Sequence, residues 1–458
     1  MTAAHLLRES RSRFRVVLIE RRGSIGEGVA YSTRESAHRL NVPAGNMSAW
    51  PDRAGDFMEW AHQRDPRVQA SEFLSRERYG DYIRDTLRAA AEKSAAELEI
   101  RYDEVRRVAR MPDRRWMLHV TQGSSLRADA VVLAVGHSAP SDPIGGNWAG
   151  PRTRYVADPW RPFAMNAIQG DEPILILGSG LTAVDTVLSL TEHPRVAKIT
   201  LISLNGLIPQ GHASADAAPL DLDDWVSDLL GTGEGVTALG LSRKVQGLAR
   251  SLDSQGSDWR RAIDALRSHT PTLWRALSLR ERRRFLTRLR PFWEVHRHRV
   301  APAIHACFES LRRTGRVEII GGRVESAREA ADQVHVRLRR RKSQEVQDIE
   351  VGWVVNCTGP LPSNRPESNP AIGSLMIRGQ LSLDALALGV ETGARGSPIA
   401  AGGAEIPELF VVGTLRKPDC WESTAVPELR EQAAQVAREL LQQIECGSNA
   451  GMDALRST

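Results

Sequence analysis

Cysteine is scarce in this chain: four among 458 residues, Cys307, Cys357, Cys420 and Cys446. No two form a C-x-x-C pair, which excludes a local dithiol redox centre and a zinc ribbon. Cys357 falls in an apolar run and reads as a small buried hydrophobe. The start of the chain carries Arg8, Glu9, Arg11 and Arg13, unlike a secretion signal. Sparse cysteine without such a signal points to a reducing cytoplasm. Long apolar runs are also missing. None approaches the roughly 20 residues that span a bilayer, so no membrane partner is expected. Neither sign of charge prevails: 61 Lys and Arg face 56 Asp and Glu, a formal net charge of +5. The basic clusters Arg282–Arg284 and Arg339–Lys342 read as solvated helix or hairpin faces, and no nucleic-acid partner is expected. His296 and His298 are two residues apart, so on a helix they point to different faces and make no metal site. No Ser-His-Asp order or paired carboxylate supports hydrolase chemistry.

What is present is a large globular chain. Hydrophobic residues make up 41%, too many for disorder, and the length suits two or three domains with sizeable cores. The most informative stretch is PILILGSGLTAVDTVLSL, Pro173 to Leu190. Ile174 to Leu177 read as a buried strand, and a helix-compatible run follows. Between them stand Gly178, Ser179, Gly180 and Ala183, the G-x-G-x-x-G/A pattern of a dinucleotide turn. Gly178 permits the tight turn, Gly180 lets backbone N–H groups approach a pyrophosphate, and Ala183 lets the helix pack closely on the strand. The helix then offers its positive end to the phosphates. A second strand, Lys198 to Leu204, follows at the proper distance. It ends Ile202-Ser203-Leu204-Asn205, without an acid to take unphosphorylated ribose hydroxyls and without an arginine for a 2′-phosphate. Ser203 can hydrogen-bond either ribose. The missing acid favours NADPH over NADH.

This turn lies deep inside the chain, so a comparable unit precedes it. RFRVVLIE, residues 13–20, reads as a strand with Glu20 at its end, where the acid of a dinucleotide-binding unit holds the adenosine ribose. MTAAHLLRES reads as the preceding helix. The first strand and its glycine turn do not appear. By the spacing of the internal unit, the first glycine falls about five residues before Met1. Two readings follow: an in-frame extension upstream encodes the loop, or the chain as written holds FAD poorly.

Further along, Arg101–Val120 suits short antiparallel strands, and Ala130–Gly136 is a short buried strand ending in glycine. Residues 215–315 are mostly helical in pattern. Strands return at Arg316–Ile320, Val334–Leu338 and Trp353–Cys357. LFVVGTL, Leu409 to Leu415, gives a last strand and glycine turn before an amphipathic helix.

Taken together, GEGVAYST (Gly26–Thr33), HRLNVPAGNMSAWPD (His38–Asp52), VVLAVGH, ILILGSGLTAVD, RPFWEVHRHRVAP (Arg290–Pro302), VVNCTGP (Val354–Pro360) and VGTLRKPDCWESTAVPELREQAA resemble a bacterial family. It is the FAD-NAD(P)-binding family of two-dinucleotide-domain flavoproteins, distantly similar to flavin N-hydroxylating monooxygenases. The resemblance implies an α/β fold with two Rossmann-like domains. The NAD(P) domain, about 166–360 with a helical insertion at about 215–315, interrupts an FAD domain formed by 1–165 and 361–458. It also implies FAD and NADPH (or NADH) as cofactors. Gly28, Asn41 and Ser48, with His38, would lie near the flavin. Gly136 and Gly359 would end the two linking strands, and Gly413 with Thr414 would meet the flavin ahead of the last helix. The expected function is NAD(P)H reduction of bound FAD, with oxygen activation toward a small-molecule substrate. The alternative is a nucleotide-binding redox sensor or interaction protein without turnover. The sequence leaves the substrate, the catalytic residues and the oligomeric state open.

Overall fold

The computed structural model describes residues 1–192, 198–213, 220–231, 235–361 and 369–456. The chain divides into two compact units. The first comprises Met1–Arg34, Pro43–Ser138 and Pro362–Thr458; the second comprises Glu35–Val42 and Ala139–Leu361. The units exchange at Ser138, so the connector rich in Pro, Gly and Trp that runs from there to Pro162 packs with the second unit. The expected start of the helical insertion, near 215, and the residues just after 361 lie outside the described residues.

The first unit begins with the helix Thr2–Glu9, whose Ala3, Ala4, Leu6 and Leu7 are buried. Strand β1 (Arg15–Ile19) pairs in parallel with β2 (Glu97–Arg101). Between them the helix Arg76–Lys93 is capped by Ser75, whose Oγ accepts from the Arg78 N–H. That bond satisfies one of the donors a helix start leaves open. β3 (Val105–Arg110), β4 (Trp116–Val120) and β5 (Leu126–Ala128) form an antiparallel sheet. They follow the alternation of Arg101–Val120: Val108, Trp116 and Leu118 are buried while residues between them are exposed or half-buried. β6 (Val131–Leu133) is short and buried.

In the second unit β7 (Trp148–Ala149) and β8 (Tyr155–Val156) precede β9 (Ile174–Leu177) and β10 (Ile199–Ser203). Then come β11 (Val317–Ala330), β12 (Gln333–Arg340), β13 (Val346–Val351) and β14 (Trp353–Asn356). The sheet order is β13-β12-β11-β10-β9-β14-β8, and β7 pairs with β11. β8, β14, β9, β10 and the first part of β11 run parallel, while β12 and β13 extend the sheet in antiparallel fashion. All four residues of β9 are buried. An uninterrupted apolar strand is what a central parallel position covered on both faces requires. Burial of each such side chain contributes roughly 1.5–3 kcal/mol. Helix Leu181–Glu192 buries Ala183, Val184, Val187, Leu188 and Leu190, and these join Ile174 and Ile176 in one core. Adjacent β10 and β11 are joined through a run of helices, from Asp223–Gly231 to Pro302–Arg313.

The chain then returns to the first unit. β15 (Leu409–Val411) pairs in parallel with β6, in register Leu409 to Val131. Helix Val426–Arg456 packs behind them, its Val436, Ala437 and Leu440 meeting Phe410 and Leu6. The parallel strands of this unit form two separate pairs, β1-β2 and β6-β15. Among the described residues, no helix is long and apolar enough to cross a membrane.

Candidate functional site

The turn after β9 is shaped by its glycines. Gly178 has φ +108°, and a Cβ added there would lie 2.6 Å from the Cys357 carbonyl oxygen at the end of β14. Only glycine combines that conformation with so close an approach. The Gly178 N–H donates to Ile202 O at 2.8 Å, and the Cys357 N–H to Leu177 O at 2.8 Å, so the turn is locked between β10 and β14. Gly180 differs: nothing lies within 4 Å of an added Cβ. That space opens at the start of helix Leu181–Glu192, whose first N–H groups lack intrahelical acceptors. Ala183 is fully buried against the sheet. Bare backbone, open space and a helix N-terminus at the carboxyl ends of parallel strands fit the pyrophosphate of a dinucleotide.

Two residues expected to face that ligand are committed elsewhere. Ser179 Oγ donates to Ser203 Oγ at 2.7 Å and also reaches Leu207 O. Ser203 Oγ in turn accepts from the Gly206 N–H at 3.2 Å. Both hydroxyls hold the loop after β10 against the glycine turn. The sequence pattern placed Ser203 correctly at the strand end but gave no sign of where its hydroxyl points.

Asn356, which sequence reasoning passed over, organises the end of β14. It is 2% exposed, and its Nδ2 donates to Ser141 O at 2.8 Å and Ala157 O at 3.2 Å. Its Oδ1 accepts from the Thr358 N–H and hydroxyl. Gly359 lies just beyond, its carbonyl accepting from the Ser141 N–H at 3.0 Å. The available signal was a lone amide inside the apolar run VVNC. A buried amide in such a run requires partners, and here they are backbone carbonyls of the connector.

Segment Glu35–Val42 packs with this second unit. His38 is buried, with Nε2 2.8 Å from Ser189 Oγ and 3.2 Å from Asp185 O, both on helix Leu181–Glu192. Asn41 offers its carbonyl to His212 Nε2 at 3.0 Å. The His212 ring is half-buried, and its pKa is pushed down to about 4, first by burial and next by the Arg299 charge. Unfolded, the ring titrates near 6.5. Between these values the unfolded chain holds a proton that the folded one refuses. Stability is therefore complete above about pH 6.5 and falls as pH drops toward 4, by about 3 kcal/mol from this ring alone. Thermal melts across that range should show the decline, and His212→Gln should flatten it. An unchanged slope in the variant would contradict the assignment.

In the first unit, Glu20 follows β1 and extends its ladder, its N–H donating to Arg101 O at 2.9 Å. The carboxylate is half-buried, and Oε1 accepts from the Arg22 N–H at 2.9 Å. Gly28, φ +56°, opens the short helix Gly28–Tyr31 with open space where a Cβ would be. Ser48 is fully buried, and its Oγ donates to Arg53 O at 2.6 Å while accepting from the Trp50 N–H at 3.1 Å. Its hydroxyl thus ties together its own turn. The turns after β6 and β15 are tied together: Thr414 Oγ1 donates to Gly136 O at 2.6 Å. Gly413, φ +86°, donates its N–H to Gln432 Oε1 at 2.9 Å, beside the first turns of helix Val426–Arg456. The glycine turns and the Glu20 carboxylate fit the flavin side and the ribose of an FAD.

An α/β unit with an inward dinucleotide turn, carried in the chain between two parts of another α/β unit, is the fold of the two-dinucleotide-domain flavoproteins. Residues 1–138 match a family model described as FAD-NAD(P)-binding. No curated protein matches the sequence. Among solved structures, the chain is similar to an ornithine N-hydroxylase from Kutzneria sp. 744, solved with reduced FAD, NADP+ and L-ornithine. The identity is 15% with a TM-score of 0.62, over 97% of this chain and 96% of that one. An ornithine hydroxylase from Pseudomonas aeruginosa gives 14% and 0.58, over 94% and 92%. A bacillithiol disulfide reductase from Bacillus cereus gives 13% and 0.53, over 96% and 95%. At these identities the likeness is one of fold.

Proposed function

We propose that the protein is an FAD-dependent NAD(P)H oxidoreductase that hydroxylates a small amine. The observation that carries the reading is the Gly178–Ala183 turn, where a close-packed glycine is followed by an open one at a helix start. When bound, FAD would supply the redox chemistry that links NAD(P)H to dioxygen. The chain's part is binding and orientation. Backbone N–H groups after Gly178 hold the nicotinamide dinucleotide by its pyrophosphate. Glu20 accepts from the adenosine ribose of FAD. Gly136 and Gly413, tied together through the Thr414 hydroxyl, would let the flavin approach bare backbone, and the N-terminal end of helix Val426–Arg456 would stabilise negative charge there. The overall change is amine, dioxygen, NAD(P)H and a proton giving hydroxylamine, water and NAD(P)+.

The amine substrate is supported by the two hydroxylases of the same fold, whereas the disulfide reductase of that fold acts through different chemistry. The absence of a C-x-x-C pair tells against a local dithiol centre here. Oxygen consumption by the FAD-supplemented protein with NADPH, screened over diamines and basic amino acids, tests the proposal. Stoichiometric hydroxylamine is the expected product. Oxygen uptake indifferent to every amine, with only hydrogen peroxide formed, overturns the hydroxylase reading.

A second reading, a nucleotide-binding protein without turnover, is favoured by one observation: among the described residues the parallel strands of the first unit form two separate pairs, β1-β2 and β6-β15. Such a protein would bind NAD(P)H and stay colourless.

A further inference from the structure

The basic cluster Arg339–Lys342 looks in sequence like a solvated hairpin face. The sheet gives two of its members a particular place. Ser203, the last residue of β10, pairs with Gly321 of β11. On the far side of Gly321, its carbonyl accepts the Arg341 N–H at 2.8 Å. Ser203, Gly321 and Arg341 therefore form one row at the carboxyl edge of the parallel strands. Two strand spacings, about 10 Å, separate the ends of that row.

The surface along this row is almost bare. Gly206 has φ +61°, and a Cβ there would lie 3.0 Å from Gly321 N. A Cβ on Gly322 would lie 2.4 Å from Arg339 O. Packed glycines keep side chains out of the space beyond β10, where the adenosine ribose of a dinucleotide rests in this kind of unit. Ser203, at the ribose position, has turned its hydroxyl inward to Ser179. Specificity at the 2′ position must come from neighbouring residues.

The four basic residues divide by their partners. Arg339 is held by Glu325 and by Gln344 O, and Arg340 by Gln347 and, at 3.7 Å, Glu318. Arg341 and Lys342 are exposed and enter no ion pair among the described residues. Arg341 is held in place through its backbone: its N–H on Gly321, and its carbonyl accepting from Gln344 Nε2 at 2.6 Å. Its guanidinium is left for a ligand.

We infer that Arg341, assisted by Lys342, recognises the 2′-phosphate of NADP(H) at the edge of the Ser203–Gly321 row and makes the site selective for the phosphorylated dinucleotide. The inference rests on the reading that the second unit binds a nicotinamide dinucleotide. An arginine fork matches a phosphate in two-point geometry, and the lysine adds charge.

Calorimetric titration of the whole chain with NADP+, NAD+, adenosine 2′,5′-bisphosphate and 5′-AMP needs no turnover. The parent should bind the 2′-phosphorylated member of each pair more tightly. Arg341→Ala/Lys342→Ala should weaken NADP+ and the bisphosphate by about tenfold or more, the scale of a lost charge-assisted hydrogen bond. NAD+ and 5′-AMP should stay within about twofold, and the melting temperature should hold, since both side chains are exposed. Arg341→Lys should recover part of the loss. An unchanged preference in the double variant overturns the inference and leaves the dinucleotide site standing. Equal weakening of both dinucleotides also overturns it, because that marks a structural role. A parent that binds neither dinucleotide defeats the underlying reading, and the inference with it.

Discussion

Gly180→Val should fold as the parent does and lose NAD(P)H binding by at least about two orders of magnitude. The structure leaves nothing within 4 Å of an added Cβ at this position, so the protein itself has room for the side chain. That room lies at the helix N-terminus, where backbone N–H groups must come within hydrogen-bond distance of a pyrophosphate. A branched side chain there holds the phosphates off. Losing two charge-assisted hydrogen bonds at about 1.5–3 kcal/mol each gives an effect of this size. Dinucleotide titration and thermal melting on the same sample separate the outcomes. Undiminished binding would show that the dinucleotide sits elsewhere.

Gly178→Ala, two residues away, should do the opposite kind of damage. Its φ of +108° is strained for any L side chain, and its new methyl would press to 2.6 Å on the Cys357 carbonyl. The obstructing atom is backbone at the end of a fully buried strand, so relief requires β9 and β14 to move apart. Strained backbone costs about 1–3 kcal/mol, and a core overpacked by one carbon about 1–3 more. The expected loss is roughly 3 kcal/mol or above, read as a lower denaturation midpoint. A melt within a degree or so of the parent would show that the turn is not built as described. The pair of variants separates the two duties that one motif assigns to neighbouring glycines.

That motif also shows how much of the molecule was legible in sequence. ILIL, the glycine turn and the helix after it were readable because three local signals agree: a run buried on both faces, small residues at fixed offsets, and an apolar helical period. The same holds for Val131–Leu133 and Leu409–Val411, short apolar strands closed by glycine. Side-chain direction was not legible. Ser179, Ser203 and Ser48 stand where hydroxyls could serve a ligand, yet each is bound to its own loop. A serine's choice among three staggered rotamers leaves no trace in composition or spacing. Long-range pairing was hidden too. The Arg341 backbone meets Gly321 only because β12 folds back on β11, and Asn356 finds partners in a connector far away in sequence. In a single sequence, a solvated arginine and one anchored at a sheet edge read alike.

The central claim is that one chain binds both dinucleotides and passes electrons from one to the other. The most direct measurement is the visible spectrum of the protein after incubation with FAD, removal of the excess, and anaerobic addition of NADPH. The account predicts a yellow protein whose flavin band bleaches on adding NADPH, with Gly180→Val equally yellow and unbleached. A protein that emerges colourless, or one that holds FAD and keeps its oxidised spectrum under NADPH, would contradict it.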